Sequence, residues 1–478
     1  MKIEKNQSKE QTKMVGYLLP HPPILIDKIG NGEERKCQTT LEALEKVTDE
    51  ILEYKPDVIV VISPHAPIFS DVFFLNDKPT IEGSLARWGV REVEFKFNNN
   101  LKIVEDIAKM SKEEGLSVGF VTDKIERRYG ISRDLDHGAM VPLYFVTKKY
   151  RDFELIHTAY CMVDDVKLYK YGMIIRKALE KHGKRGLIIA SGDLSHKLKE
   201  DGPYGFAKEG VEFDKLLVDL LQKSDIKGIY DIDPEFSERA AECGFRSIKV
   251  LIGAFDSYEI ESKVYSYEGP FGVGYCVAGF YQKGPVTSLL DEIAFKKEQR
   301  LKKLRENEDE YVRLARESLE YYVKHRRYMD YIPEYVTERM LRERAGVFVS
   351  IKKDGNLRGC IGTIYPTQEN IAKEIIRNAV AAGFHDPRFE EVTEDELDSL
   401  VYDVDILSTP EKVTSGSELD PKKYGVIVKK GARQGLLLPD LEGVDTVEQQ
   451  LRIACKKAGI DYDLEEFEIE RFTVERHK

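Results

Sequence analysis

The sequence predicts an α/β protein in two parts: an N-terminal αβ domain built on a central sheet, and a C-terminal α+β domain. Three observations predict it. The run Val58-Ile59-Val60-Val61-Ile62 is short, apolar and β-branched, the pattern of a strand buried on both faces of a sheet. A second apolar run, Val15-Gly16-Tyr17-Leu18-Leu19, precedes it. Between them lies a helical stripe of Leu41, Leu44, Val47, Ile51 and Leu52, so the order is that of a βαβ unit with parallel strands. Farther on, the composition turns sharply charged over residues 287–317 (ending in KKEQRLKKLRENEDEYVRLARE) before new helix and strand patterns begin.

The remaining elements follow in order. Residues 71–97 read as mixed strand and loop around Trp88, the only tryptophan, and residues 100–114 as a helix. Phe120-Val121 reads as a short strand, and Asp136-His137-Gly138 as a polar turn before an apolar element. Residues 153–159 (FELIHTA) and 186–190 (GLIIA) read as strands, with a helix between them over residues 166–182. Residues 211–222 form a helical pattern, and residues 264–280 paired strands that close the domain. Glu238, Glu242 and the Gly244-Phe245-Arg246 turn lie before a further helix from Ser247. The division is placed so that residues 1–284 are the first domain, 285–304 a charged helical linker and 305–478 the second domain.

The totals narrow the function. A chain of 478 residues is too long for one ordinary core. A hydrophobic content of 42% with 33% charged residues describes a globular protein, and a net charge of −12 argues against coating nucleic acid. No apolar stretch is long enough to span a bilayer, and the start MKIEKNQSKEQTK lacks the apolar core of a signal peptide, so a cytoplasmic location is expected. Six scattered cysteines without a CxxC pair suggest reduced thiols.

The chemistry lies in four histidines on loops after strand-like runs: His21 in PHPP, His65 in SPHAP, His137 in LDHGAMVPL and His196 in SGDLSH. Flanking prolines stiffen the first two loops, so those imidazoles lose little freedom on binding. The C-terminal edge of an open α/β sheet is where ligands collect. His21 and His65 read as two ligands of one transition metal. Two histidines and a carboxylate would leave open positions on a non-haem iron(II) for a chelating substrate and dioxygen.

Together PHPP, SPHAP, LDHGAMVPL and SGDLSH resemble the class III extradiol dioxygenases, a family that includes the protocatechuate 4,5-dioxygenase β subunit and the Memo proteins. The resemblance covers roughly residues 14–282. It implies Fe(2+), or another divalent transition metal, held by His21 and His65, with His137 and His196 as catalytic acid–base groups. It implies a ligand from late in the domain, where the family supplies a glutamate and Memo proteins a cysteine before glycine. Glu242 is favoured because a carboxylate suits oxygen activation, with Cys243 before Gly244 left open and Glu238 as the fallback. The implied reaction is extradiol cleavage of a small aromatic diol with O2, His196 taking a hydroxyl proton and His137 acting as its acid partner.

In the second domain LRGCIGT, AAGFHDPRF, LSTP and GLLLP resemble the AMMECR domain family over about residues 305–474. Cys360 stands beside Arg358, whose cation would favour a thiolate, and His385 is a partner for it in space. The plainer expectation is a small buried cysteine in a tight turn shaped by Gly359 and Gly362. The pairing of Memo-like and AMMECR domains is similar to the AmmeMemoRadiSam system, which implies a radical SAM partner protein. It also opens an alternative function: a metal-binding redox or modification partner without catechol cleavage. A homo-oligomer is compatible with either.

Overall fold

The computed structural model describes residues 13–414, 416–441 and 443–478. The polar start judged not to be a signal peptide falls almost wholly in residues 1–12, outside the described residues. Two compact units divide after Lys297.

The strands of the first unit are β1 (Val15–Leu19), β2 (Val58–Ile62), β3 (Val72–Phe74), β4 (Thr80–Ser84), β5 (Glu94–Asn98), β6 (Ser117–Gly119), β7 (Glu154–Thr158), β8 (Gly186–Ser191), β9 (Tyr258–Glu268) and β10 (Tyr275–Pro285). Six of them make the central sheet in the order β7-β2-β8-β1-β10-β9. The pairs β7/β2, β2/β8 and β8/β1 are parallel, and β10 and β9 add an antiparallel edge. The strand expected at Phe120-Val121 lies just upstream, as β6.

Strand periodicity sorts the core into two layers. Val58, Val60 and Ile62 point to one face, where they meet Ile174 and Ile175 of helix Asp165–Lys181 and Ile248 and Leu251 of helix Phe245–Gly253. Ile59 and Val61 point to the other, against Leu44, Val47 and Ile51 of helix Gln38–Tyr54 and Val141 and Val146 of helix His137–Lys149. All five residues of β2 are fully buried, as a strand covered on both faces must be.

This register sets the site. Leu19 pairs with Ser191, and Ile62 with both Ala190 and Thr158. Strands β1, β8 and β2 therefore end side by side, and the loops carrying His21, His65 and His196 open at one edge.

The second unit has its own cores. Its strands are β11 (Gly346–Lys353), β12 (Asn356–Gly362), β13 (Leu400–Leu407), β14 (Glu411–Lys412), β15 (Gly425–Lys430), β16 (Arg433–Leu437), β17 (Glu468–Phe472) and β18 (Val474–His477). They form two four-stranded sheets, β12-β11-β13-β18 and β14-β17-β15-β16.

The charged stretch is helix Leu290–Glu306, and the division between units falls inside it. Its first half belongs to the first unit: Ile293 is buried in that core, and Lys297 pairs with Asp164 at 2.9 Å. Its second half belongs to the second unit, where Arg305 bonds the Leu397 carbonyl at 2.8 Å.

Candidate metal centre

His21 follows β1 and is buried. Its Nδ1 lies 2.9 Å from Ser191 Oγ, which donates to the Gly138 carbonyl at 2.5 Å. That serine proton is committed, so the hydroxyl oxygen accepts from His21 Nδ1–H and leaves the Nε2 lone pair free. Fixing the tautomer through the second ring nitrogen is how proteins aim a metal-ligating imidazole. The His21 backbone N–H donates to Asp193 Oδ1 at 3.0 Å.

His65 follows β2. Its ring is exposed on one side and turns Nε2 inward, 3.0 Å from His21 Nε2. Cys243 Sγ lies 3.6 Å from the same His21 nitrogen. Ligand atoms of His21, His65 and Cys243 all fall within 4.8 Å of one another. The donor set fits a transition ion: bonds of about 2.0–2.1 Å from imidazole and about 2.3 Å from thiolate reproduce the two separations from His21 Nε2 at angles of roughly 90–110°.

Glu242 does not join them. The helix Pro234–Ala240 that carries Glu238 ends at Ala241, whose φ of 53° turns the chain. Glu242 then points its carboxylate at the next helix and accepts the Phe245 N–H at 2.6 Å. It caps a helix N-terminus, where a carboxylate is favoured by the unpaired N–H groups and the dipole. The third donor atom beside the two histidines is Cys243 Sγ, which accepts the Asp193 N–H at 3.3 Å. Glu238 lies an ion-pair length, 3.9 Å, from Arg246.

The other two histidines flank this trio. The His137 ring stacks on His65 with centroids 4.1 Å apart and lies 5.4 Å from His21. The His196 ring stacks on exposed Tyr204 at 5.0 Å. Trp88 lies 5.9 Å from His137.

Two glycines make the approach feasible. A Cβ on Gly192 would sit 2.0 Å from Gly244 Cα, so the β8 loop and the Cys243 turn touch backbone to backbone. A Cβ on Gly138 would sit 2.4 Å from Ser63 Oγ and 3.3 Å from the His65 ring.

Burial sets the electrostatics. It holds His21 and His65 below the ordinary imidazole value, and it pushes His137 down to about 3, aided by His65 and His21. Burial likewise lowers His196. All four are neutral at pH 7, with lone pairs available. Burial raises the Cys243 thiol well above its usual value and pushes Asp193 up to about 6.

Several contributors escaped the sequence reading. Asp136 opens helix His137–Lys149 by accepting the Ala139 N–H at 3.2 Å, and it also takes Ser63 Oγ at 2.5 Å and His157 Nε2 at 3.0 Å. Burial opposes its charge, but His157 and Ser63 hold the carboxyl below its ordinary value. His157 sits fully buried inside β7, where an apolar run reads as plain core. Asp193 and Ser191 had a signal, since both belong to the polar loop that carries His196.

In the second unit, Cys360 lies within strand β12 rather than in a turn, opposite Ser350, whose Oγ lies 3.3 Å from Sγ. Gly359 and Gly362 serve close packing: a Cβ on either would lie 2.0 Å from the Ala382 carbonyl or 2.2 Å from the Phe348 ring. His385 is exposed, and the neighbouring Asp386 takes the Cys360 N–H at 2.9 Å while Arg388 grips that carboxylate. All six cysteines are free. Among the described residues no helix is long and apolar enough to cross a membrane.

A sheet that delivers two neutral histidines and a thiol to one point, with two more histidines beside them, defines a class of α/β protein built around a metal-type site. Comparison with known proteins narrows the class. Residues 15–278 match the catalytic LigB subunit of aromatic ring-opening dioxygenase, and residues 312–477 match AMMECR1. The chain belongs to the LigB family, with an AMMECR1 domain fused at its C-terminal side. A protein of Clostridium acetobutylicum is 44% identical over 462 residues, 97% of this chain and 98% of that protein. One of Thermotoga maritima is 58% identical over 172 residues, 36% of this chain and 98% of that protein. A solved structure from Pyrococcus horikoshii shares 32% identity, covering 35% of this chain and 88% of its own, at a TM-score of 0.33.

Proposed function

We propose that the N-terminal unit is a metal-dependent oxidoreductase acting on a small, chelating, catechol-like molecule, with His21, His65 and Cys243 as the ligand set. The observation that carries this reading is the convergence of two imidazole nitrogens at 3.0 Å and a sulfur at 3.6 Å beside two further histidines. A divalent transition ion there, iron(II) by family, supplies a Lewis-acidic and redox-active meeting point for substrate oxygens and O2.

The rest is work for the chain's own groups. His196 is neutral and lies in the field of Asp193, so it takes a substrate hydroxyl proton and the buried carboxylate steadies the imidazolium. His137 is neutral too and returns a proton only after gaining one, which sets an order of base first and acid second. Such help is worth about 100- to 10,000-fold.

A second reading has its own observation. A thiolate in place of a carboxylate favours softer ions and suits a cytoplasmic redox or modification partner of a radical SAM protein, without ring cleavage. One experiment separates the two. Protein purified without oxygen is analysed for metal and then assayed for O2 uptake on a catechol panel. Iron with uptake and ring-opened product supports the first reading; bound metal without uptake on any catechol supports the second.

A further inference from the structure

The hairpin of β4 and β5 has one covered edge and one open edge. The strands run antiparallel, with Phe97 opposite Ile81, Lys96 opposite Glu82 and Phe95 opposite Gly83. The Leu85 N–H donates to the Val93 carbonyl at 3.1 Å, and the Asn99 N–H to the Pro79 carbonyl at 3.0 Å. These two bonds fix the parity of the ladder. Val93, Phe95, Phe97 and Asn99 turn their backbone groups to β4, and Glu94, Lys96 and Asn98 turn theirs outward. The outer edge of β4 is taken, since the Leu135 N–H donates to the Glu82 carbonyl at 2.8 Å. Among the described residues nothing bonds the outward backbone groups of Glu94, Lys96 and Asn98.

A groove of about 420 Å³ follows that edge. Residues 92–98 line it, together with Tyr144, Thr147 and Lys148 of helix His137–Lys149 and with Phe153. Side chains alternate along β5: Phe95 and Phe97 are buried, Val93 packs on the same core, and Glu94, Lys96 and Asn98 are exposed. An open edge is a template for another strand, and proteins usually blunt it with charge. Here the two charges are of opposite sign and two residues apart. Lys96 meets Glu82 of the same hairpin at 2.8 Å, and among the described residues no cation pairs with Glu94.

We propose that the free edge of β5 pairs antiparallel with the same edge of a second copy of this chain, around a two-fold axis at Phe95. Such a contact is isologous, so the edge must complement itself. With the axis at Phe95, Glu94 lies opposite the second copy's Lys96, and Lys96 opposite its Glu94. All four have outward backbone groups, so each pair exchanges two main-chain hydrogen bonds. The same register sets Phe95 against Phe95 and Val93 against Phe97, and the apolar face continues across the axis. Other registers lose this match. An axis at Lys96 or at Glu94 sets like charge against itself, and one at Phe97 leaves Lys96 against Asn98. The product is one four-stranded sheet in place of two hairpins, each marginal as a two-stranded unit.

The test is the mass of the full chain in solution. Analytical ultracentrifugation of the wild type from about 1 to 100 µM is expected to show a monomer–dimer equilibrium. Hydrogen exchange at the Glu94 and Lys96 amides should slow as the dimer forms. E94K makes the edge all basic and K96E makes it all acidic, so each alone is expected to dimerise about tenfold more weakly or worse. Mixed one to one, the two variants restore both opposite-charge pairs and should form a heterodimer with an affinity near that of the wild type. Recovery on mixing also shows that neither variant has misfolded. A wild type that stays monomeric at every concentration would overturn the proposal and leave the edge to a strand from another protein. A dimer that E94K and K96E leave unchanged, or single variants that fail to recover on mixing, would overturn it as well.

Discussion

Cys243 Sγ stands 3.6 Å from His21 Nε2, while the carboxylate of its neighbour Glu242 is turned away onto the Phe245 N–H. Two adjacent residues thus face different ways, the thiol toward the two histidines and the carboxylate toward a helix N-terminus. Cys243→Ser is expected to lose stoichiometric metal, because a neutral hydroxyl is a poor substitute for a thiolate. Glu242→Ala is expected to keep metal and to lose about 1 kcal/mol of stability, the usual worth of a helix cap. Metal analysis and chemical denaturation of the two variants check this. Metal loss in Glu242→Ala with retention in Cys243→Ser would reverse the assignment.

Metal binding is expected to be proton-coupled in a specific way. The Cys243 thiol is raised above its ordinary value, so it is protonated at neutral pH, whereas His21 and His65 are lowered and already neutral. Binding therefore displaces about one proton, from sulfur alone. Between the ordinary imidazole value of 6.5 and the ordinary thiol value of 9.0, log affinity should rise with pH at a slope near one. The histidines add to that slope only below 6.5, because their protonation is shifted to more acidic pH. Calorimetry in buffers of different ionisation enthalpy counts the protons. A count of zero would mean that sulfur is not a ligand, and a count near three that the histidines were charged.

Ser191 fixes the His21 tautomer from the end of β8. Ser191→Ala leaves Nδ1–H without its acceptor and is expected to weaken metal binding roughly 10- to 100-fold, the common cost of removing such a support. Ser191→Thr keeps the hydroxyl and should recover most of it. Competition with a chelator of known affinity gives the numbers, and equal affinity in Ser191→Ala would show that the ring is oriented by packing alone.

Much of this was legible in the sequence, and the misses have physical causes. A buried parallel strand announces itself as an apolar run, so β2 and β8 and the histidine loops after them could be placed by pattern. The choice between Glu242 and Cys243 could not, because it depends on where the chain turns. Ala241 takes a left-handed conformation with a side chain that gives no hint of it, and that turn decides which residue faces His21. His157 was hidden for the opposite reason: β7 is buried continuously from Leu155 to Thr158, so a histidine inside it looks like core. Cys360 was read as lying in a turn because two glycines flank it, yet those glycines admit the Ala382 carbonyl and the Phe348 ring against a strand. Glycine spacing alone does not separate a bend from a close approach.

Where the first unit ends is itself testable. Every residue of the candidate centre precedes Gly244, and the cores of the first unit draw on no residue after Ile293. A fragment ending at Lys297 keeps Ile293, which is 4% exposed, together with the pairs from Lys296 to Asp231 and Lys297 to Asp164. A fragment ending at Gly284, the limit suggested by sequence, removes all three. The longer fragment is expected to fold and to bind one metal ion with the affinity of the full chain. The shorter one should be less stable by about 2–5 kcal/mol, the range for emptying a large aliphatic site in a core, with its exposed ion partners adding little. Urea denaturation and metal titration of both fragments measure this. Equal stability would place the true boundary before helix Leu290–Glu306, and loss of metal binding from the longer fragment would mean that the second unit contributes to the site.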